Sequence, residues 1–202
     1  ISCILILRCL YKTESSYQLR FSKLTIRGVY LKQIFQVGIP AGIQSMVINL
    51  SNALLQSSVN SFGSVAMAGY TAANNILGFL YVSVNSITQA CMSFTSQNYG
   101  AGDFQRCKKV YRLCMIFSVI FCGLLSGIFV LGRDFFLRLY TTDPNVLTFA
   151  VQRLLIVTTL ELLTSTYEIS GGAMRGFGHS LTPALITVVG SCVLRLIWIN
   201  TV

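Results

Sequence analysis

Two carboxylates, Glu161 and Glu168, lie seven residues apart inside an otherwise apolar stretch, residues 146–174. On a helix this spacing puts both on one face, roughly 10 Å apart along the axis. Thr164 and Ser165 fall between them, and Arg175 continues the stripe one heptad further. An acid or an arginine at the centre of a membrane helix costs about 3 kcal/mol, and each Leu, Ile, Val or Phe offsets about 0.5 kcal/mol. About a dozen such apolar residues supply about 6 kcal/mol, which one acid roughly halves and two nearly cancel. The helix therefore needs neighbours in order to insert, and its acids must face inward. Two readings stay open. The carboxylates bind protons, Na+ or a cationic substrate, or they form a buried ion pair, with Arg195 in the next apolar stretch as the partner. Both hold if the pair breaks and re-forms during a transport cycle.

A second set of polar residues repeats with helical spacing. Ser45, Asn49, Asn52, Gln56 and Asn60 are separated by four, three, four and four positions. Asn74, Gly78, Tyr81, Asn85, Gln89 and Met92 follow the same rule, with Asn75 beside them. Unpaired polar groups in hydrocarbon cost several kcal/mol each, so these faces must meet other helices or water. Interhelical hydrogen bonding is one explanation. The wall of a hydrated substrate cavity is the other, and the length of the two stripes favours it.

The elements that must carry these residues are apolar and long. Charged residues make up 10% of the 202-residue chain, against roughly 25% in ordinary soluble domains, and mean hydropathy is +0.67. Five apolar stretches follow one another between residues 33 and 202: helices are predicted at 31–59, 65–97, 109–131, 146–174 and from 181 onward. A soluble core does not explain five in succession. The connections alternate in charge. Residues 8–32, 103–112 and 175–179 are basic; 60–67 and 132–145 are neutral or balanced. That alternation predicts a multi-pass protein of the cell membrane with its basic loops in the cytoplasm. The net charge of +9 is no sign of nucleic acid, because ten of the fifteen basic residues fall in the segments 8–32 and 106–112. The fold class is thus an all-α polytopic helix bundle of about five full transmembrane helices plus one partial. Residues 1–11 read as the end of a transmembrane helix, 12–32 as a basic cytoplasmic linker, and 33–202 as an incomplete helix bundle. The whole reads as an internal piece of a longer protein.

Other features predict packing. The seven cysteines contain no CxxC pair and read as small apolar residues. Gly123 and Gly127 form a GxxxG, read as a close-packing face. Arg153 is expected to snorkel toward the outer surface, and His179 to be solvated in a loop. Pro40 inside its helix predicts a kink. The glycine-rich run from Gly171 to Gly178 follows no strand and lacks the phosphate-loop spacing, so it marks a helix end. With no HExxH, nucleophile elbow or metal set, neither an enzyme nor a cofactor is expected.

Several motifs occur in a telling order: Gly38-Ile39-Pro40-Ala41-Gly42-Ile43-Gln44 at a helix start, Asn60-Ser61-Phe62-Gly63, and Ala66 with Ala72-Ala73. They are followed by Gln97-Asn98-Tyr99-Gly100-Ala101-Gly102 and by Met174-Arg175-Gly176-Phe177-Gly178-His179-Ser180 with Pro183. This series resembles the multidrug and toxic compound extrusion (MATE) family over most of residues 33–202. The resemblance implies twelve helices in two six-helix lobes around a cavity. This chain would supply the end of helix six, the interlobe linker, helices seven to ten and part of eleven, with an amino-terminal lobe as its partner. It also implies export of small amphipathic or cationic compounds in exchange for H+ or Na+. Glu168 matches a glutamate that many bacterial members carry before the arginine-glycine motif, and an aspartate of other members falls near Thr164. The acid that some members carry in helix seven is absent, since Ile48-Asn49 stand there. The coupling residues expected are Glu161 and Glu168. The substrate wall is expected from Asn49, Asn52, Gln56, Asn74, Asn75, Tyr81, Asn85, Gln89 and Thr164, with Arg175 and Arg195 as ion-pairing or structural groups. A lipid-linked oligosaccharide flippase of the same superfamily, which calls for a more cationic cavity, and a structural membrane subunit are the alternatives.

Overall fold

The computed structural model describes residues 2–13, 18, 19, 25, 27–195 and 197. Ten of the 21 residues of the linker predicted at 12–32, and the last residues, lie outside that set. The described residues are helical: α1 (Ser2–Lys12), α2 (Gly28–Asn60), α3 (Ser64–Gly100), α4 (Phe104–Leu131), α5 (Arg133–Arg138), α6 (Pro144–Gly176) and α7 (Leu181–Thr187), which runs on into a π-helical stretch, Val188–Val193. α2, α3, α4 and α6 are each long and apolar enough to cross a bilayer. The chain divides into two units, Ile1–Gln36 and Val37–Val202. The first holds α1 and the opening turns of α2; everything below concerns the second.

Local chemistry sets the boundaries. The Asp103 carboxylate accepts from the Arg106 amide and starts α4. Asp143 accepts from the Asn145 amide, with Pro144 in the first turn of α6. Such caps contribute about 1 kcal/mol each. Capping at Asp103 shortens the expected basic loop, so Arg106, Lys108, Lys109 and Arg112 ride on the first turns of α4. The segment 132–145, expected as loop, contains the single-turn-and-a-half helix α5. Gly63 and Gly178 take φ of 94° and 87° at the tight turns after α2 and α6, a conformation that disfavours any side chain. Helix α2 runs through Pro40 as one element.

Helices α3, α4 and α6 form the packed centre. Gly69 of α3 meets Val146 and Phe149 of α6, while Gly172 and Gly176 of α6 meet Thr88 and Thr95 of α3. Both sequences advance in the same direction, so α3 and α6 run parallel. α4 returns antiparallel, with Tyr111 against Ser170 and Gly123 against Leu162. Ala73, Ile76 and Leu80 of α3, Ala150 and Leu154 of α6, Cys122 and Phe129 of α4, and Leu137 of α5 make the main core. The outer face of α4 leaves Leu113, Phe117, Ile120, Leu124 and Leu131 exposed. Their spacing of four, three, four and seven makes one continuous apolar stripe, suited to acyl chains.

The expected GxxxG face is corrected. Nothing lies within 4 Å of a Cβ added at Gly127, and Gly123 makes only ordinary contact with Leu162. The buried small residues of α4 are instead Ser118, Cys122 and Ser126, the adjacent stripe. Close helix approach is carried by Gly69, Gly172 and Gly176, where an added Cβ would fall within 3 Å of a neighbour. Arg153, expected to reach for the outer surface, is also held by two side chains of α3. It is half-buried between α3 and α6, stacked 3.8 Å over the Tyr70 ring, and donates to Asn74.

Candidate functional site

Helix α6 buries Ile169, Gly172 and Gly176 toward α3 and Ser165 toward Cys122 of α4. At 100° per residue, Glu161, Thr164, Glu168 and Arg175 then fall on the neighbouring face. Helix α3 does the same, burying Leu80, Thr88, Cys91 and Thr95 and turning Tyr81, Asn85, Gln89 and Met92 to one side. These two faces, closed by α2 and by the end of the chain, bound a cleft of about 600 Å3. From α2 it receives Gln44, Ser45, Ile48 and Asn52; from the last helix it receives Thr187, Cys192 and Arg195.

Most of the expected site residues meet here: Glu161, Glu168, Thr164, Tyr81, Asn85, Gln89, Asn52, Arg175 and Arg195. Four do not. Asn75 lines a separate cleft of about 740 Å3, with Asn60, Thr71 and Tyr140, at the end of the bundle where α2 turns into α3. Asn74 accepts from Arg153 at 2.8 Å. Asn49 and Gln56 are exposed on α2 and line neither cleft. The cleft face of α2 is the row Val37, Ala41, Gln44, Ile48 and Asn52 with Ser45 beside it; Asn49 is rotated 100° from Ile48, and Gln56 lies one turn beyond Asn52, the last α2 residue of the cleft.

The two arginines are held by amides. Arg195 Nη1 donates to Asn52 Oδ1 at 2.8 Å, and Arg175 Nη2 donates to Gln44 Oε1 at 3.4 Å, both onto α2. Of the two open readings, the ion pair of Arg195 with a glutamate is not formed among the described residues, where Arg195 bonds an amide oxygen instead. Glu161 and Glu168 are half-buried along the cleft and, among the described residues, have no arginine partner. The Thr164 hydroxyl donates to the Glu161 carbonyl at 2.9 Å, so its hydrogen is already committed to its own helix.

Tyr167 and Gln44 line the cleft although neither belongs to the expected set. Tyr167 Oη lies 3.0 Å from Thr187 Oγ1. Thr187 gives its only hydroxyl hydrogen to the Pro183 carbonyl, so Tyr167 must be the donor. That bond ties α6 to α7. Tyr167 precedes Glu168 directly, which was the available signal. Gln44 could be read only from the motif around Pro40. A cleft of this kind offers two carboxylates, a row of amides and two tethered guanidinium groups to a solute, with apolar contact from Ile48, Met92 and the Tyr81 ring.

Residues 40–199 match the MatE family model. The chain belongs to the MatE family. Among curated relatives of this MatE chain, the probable multidrug resistance protein YoeA of Bacillus subtilis is 29% identical over 185 residues, covering 88% of this chain and 40% of its own length. The probable multidrug resistance protein NorM of Thermotoga maritima is 24% identical over 187 residues, covering 93% of this chain and again 40% of its own length. The FAD transporter of Shewanella oneidensis is 29% identical over 108 residues, 54% of this chain and 24% of its own. This MatE chain therefore spans about 40% of the length of the first two relatives. Together with its long apolar helices, family membership makes it a multi-pass membrane protein, as the motif series implied.

Proposed function

We propose that this chain is the carboxy-terminal lobe of an antiporter that exports organic cations and other amphipathic compounds in exchange for H+ or Na+. The observation that carries the reading is the cleft. Glu161 and Glu168 line it while Arg175 and Arg195 are engaged by Gln44 and Asn52, which leaves the carboxylates available to a cation. Binding of H+ or Na+ neutralises them, lowers the affinity for a cationic solute and shifts the balance between outward- and inward-facing states. Tyr81, Asn85, Gln89 and Asn52 contact the solute. An amino-terminal lobe completes the cavity from the other side, and the basic segment 12–32 is the interlobe linker, on the cytoplasmic side with the other basic loops.

Glu168→Gln in the full-length protein tests the proposal by whole-cell efflux of a fluorescent cation. Export is abolished while membrane expression stays normal. Wild-type efflux by that variant removes Glu168 from the mechanism.

A second reading draws on the two arginines and on the relative named an FAD transporter. Here the solute is anionic and Arg175 and Arg195 bind it. Arg195→Gln then abolishes transport of an anionic dye, and Glu168→Gln leaves it unchanged. The antiporter reading requires the opposite pattern.

A further inference from the structure

Away from the central cleft, Arg153 lies in an environment that its known partners do not neutralise. Its guanidinium stacks on Tyr70 and donates from Nη2 to Asn74 Oδ1 at 2.8 Å, and its Nε is buried without a partner among the described residues. A phenol ring and an amide are both uncharged. The full positive charge of Arg153 thus remains uncompensated beside apolar surface.

That charge lies at the base of a groove of about 410 Å3 between the end of α2, the start of α3 and α6. The walls include Phe62, Ala66, Phe149, Ile156 and Val157, with Gln152 and the Tyr70 phenol as the other polar groups. Phe62, Phe149 and Ile156 are 79%, 50% and 63% exposed, so the groove opens at the periphery of the bundle. Depth follows from helix length. The 33 residues of α6 measure about 50 Å, against a hydrocarbon core of about 30 Å. Centring the helix leaves about 10 Å beyond the core at each end. Arg153, nine residues past Pro144, is then about 3 to 4 Å inside the boundary. A lipid phosphate at that boundary is within reach of a guanidinium side chain.

The geometry points to a binding site for one anionic phospholipid in this groove, its phosphate on Arg153 and an acyl chain along Phe149 and Ile156. A net negative headgroup is required because the site contributes one unbalanced cation. A guanidinium binds a phosphate through hydrogen bonds from its η nitrogens, which must carry the contact here because Nε is buried. A soluble phosphate fits poorly, since it would lose its water to apolar walls for a single counter-charge. The site is separate from the central cleft and does not depend on which solute is transported.

The test uses the full-length protein in detergent, with phosphatidylglycerol, phosphatidylcholine and inorganic phosphate as probes. Native mass spectrometry counts retained lipid, and thermal unfolding measures the shift each probe produces. Wild type retains phosphatidylglycerol over phosphatidylcholine, and Arg153→Gln lowers that retention at least fivefold, whereas Lys109→Gln on α4 does not. Ile156→Trp fills the groove from an exposed wall position with the charge in place, and it lowers retention equally. This second variant carries the test if Arg153→Gln does not fold. Equal retention of the two lipids by wild type, or undiminished retention by the variants, overturns the site. So does inorganic phosphate that matches phosphatidylglycerol, which would make it a soluble-anion site.

Discussion

Arg195 Nη1 donates to Asn52 Oδ1 at 2.8 Å, joining the last helix to α2 across the cleft that also holds Glu161 and Glu168. The amide oxygen satisfies the guanidinium without neutralising it, and so it holds a cation in the cleft while keeping it off the acids. A hydrogen bond to a charged group contributes about 1.5 to 3 kcal/mol. In Asn52→Leu that tether is gone and Arg195 is free to pair with a glutamate. A penalty at the low end of that range lowers the affinity for a cationic solute roughly tenfold. The KM for a fluorescent cation reads the change. Asn52→Gln keeps the acceptor and recovers most of the loss.

Glu161 and Glu168 make a prediction about coupling. Glutamine keeps their size and hydrogen bonding but binds neither H+ nor Na+ as a carboxylate does. In reconstituted vesicles, wild type responds to one imposed gradient, of pH or of Na+, with faster cation export. Glu168→Gln and Glu161→Gln each flatten that response. A variant that still accelerates with the gradient shows that its glutamate lies outside the coupling step.

The glycines divide sharply. A Cβ at position 172 would lie 2.7 Å from Thr88 Cγ2 and 3.0 Å from the Thr88 carbonyl oxygen, so α3 and α6 must separate. Gly172→Val is expected to destabilise the bundle by about 1 to 3 kcal/mol through overpacking. Nothing lies within 4 Å of a Cβ at position 127. Gly127→Ala is neutral or stabilising, by up to about 1 kcal/mol, from helix propensity alone. Thermal midpoints of the solubilised full-length protein distinguish the two.

Two tyrosines separate packing from binding. Tyr167 donates to Thr187 inside the cleft; Tyr111 donates to Ser170, whose own hydrogen goes to the Thr166 carbonyl, away from it. Interhelical hydrogen bonds in membranes average about 0.6 kcal/mol, so each Tyr→Phe change lowers stability slightly. Only Tyr167→Phe alters KM for the solute, because only Tyr167 lines the cleft. Parallel transport and unfolding measurements on the two variants check this.

The sequence alone determined the long helices, with ends that fell within a few residues; it placed the start of α4 at 109, where Asp103 sets it at Phe104, and it missed α5. Asp103, Asp143-Pro144, Gly63 and Gly178 act on their immediate neighbours, so their effects are legible one segment at a time. Periodicity also fixed which residues share a face of one helix: Glu161 with Glu168, and Tyr81 with Asn85 and Gln89. It could not fix how each helix is rotated about its axis against the next, or how far it is shifted along it. Between α3 and α6 those two quantities come from packing at Gly69, Gly172 and Gly176; at α2 they show in the bonds of Gln44 to Arg175 and of Asn52 to Arg195. They decided that Asn52 enters the cleft while Asn49 and Gln56 stay outside, that Asn74 serves Arg153, and that Arg195 binds an amide. They also brought in Tyr167 and Gln44 and left the Gly123–Gly127 pair loosely packed. A helix's own spacing is a one-dimensional property, whereas a cleft exists only where several helices share one arrangement in space.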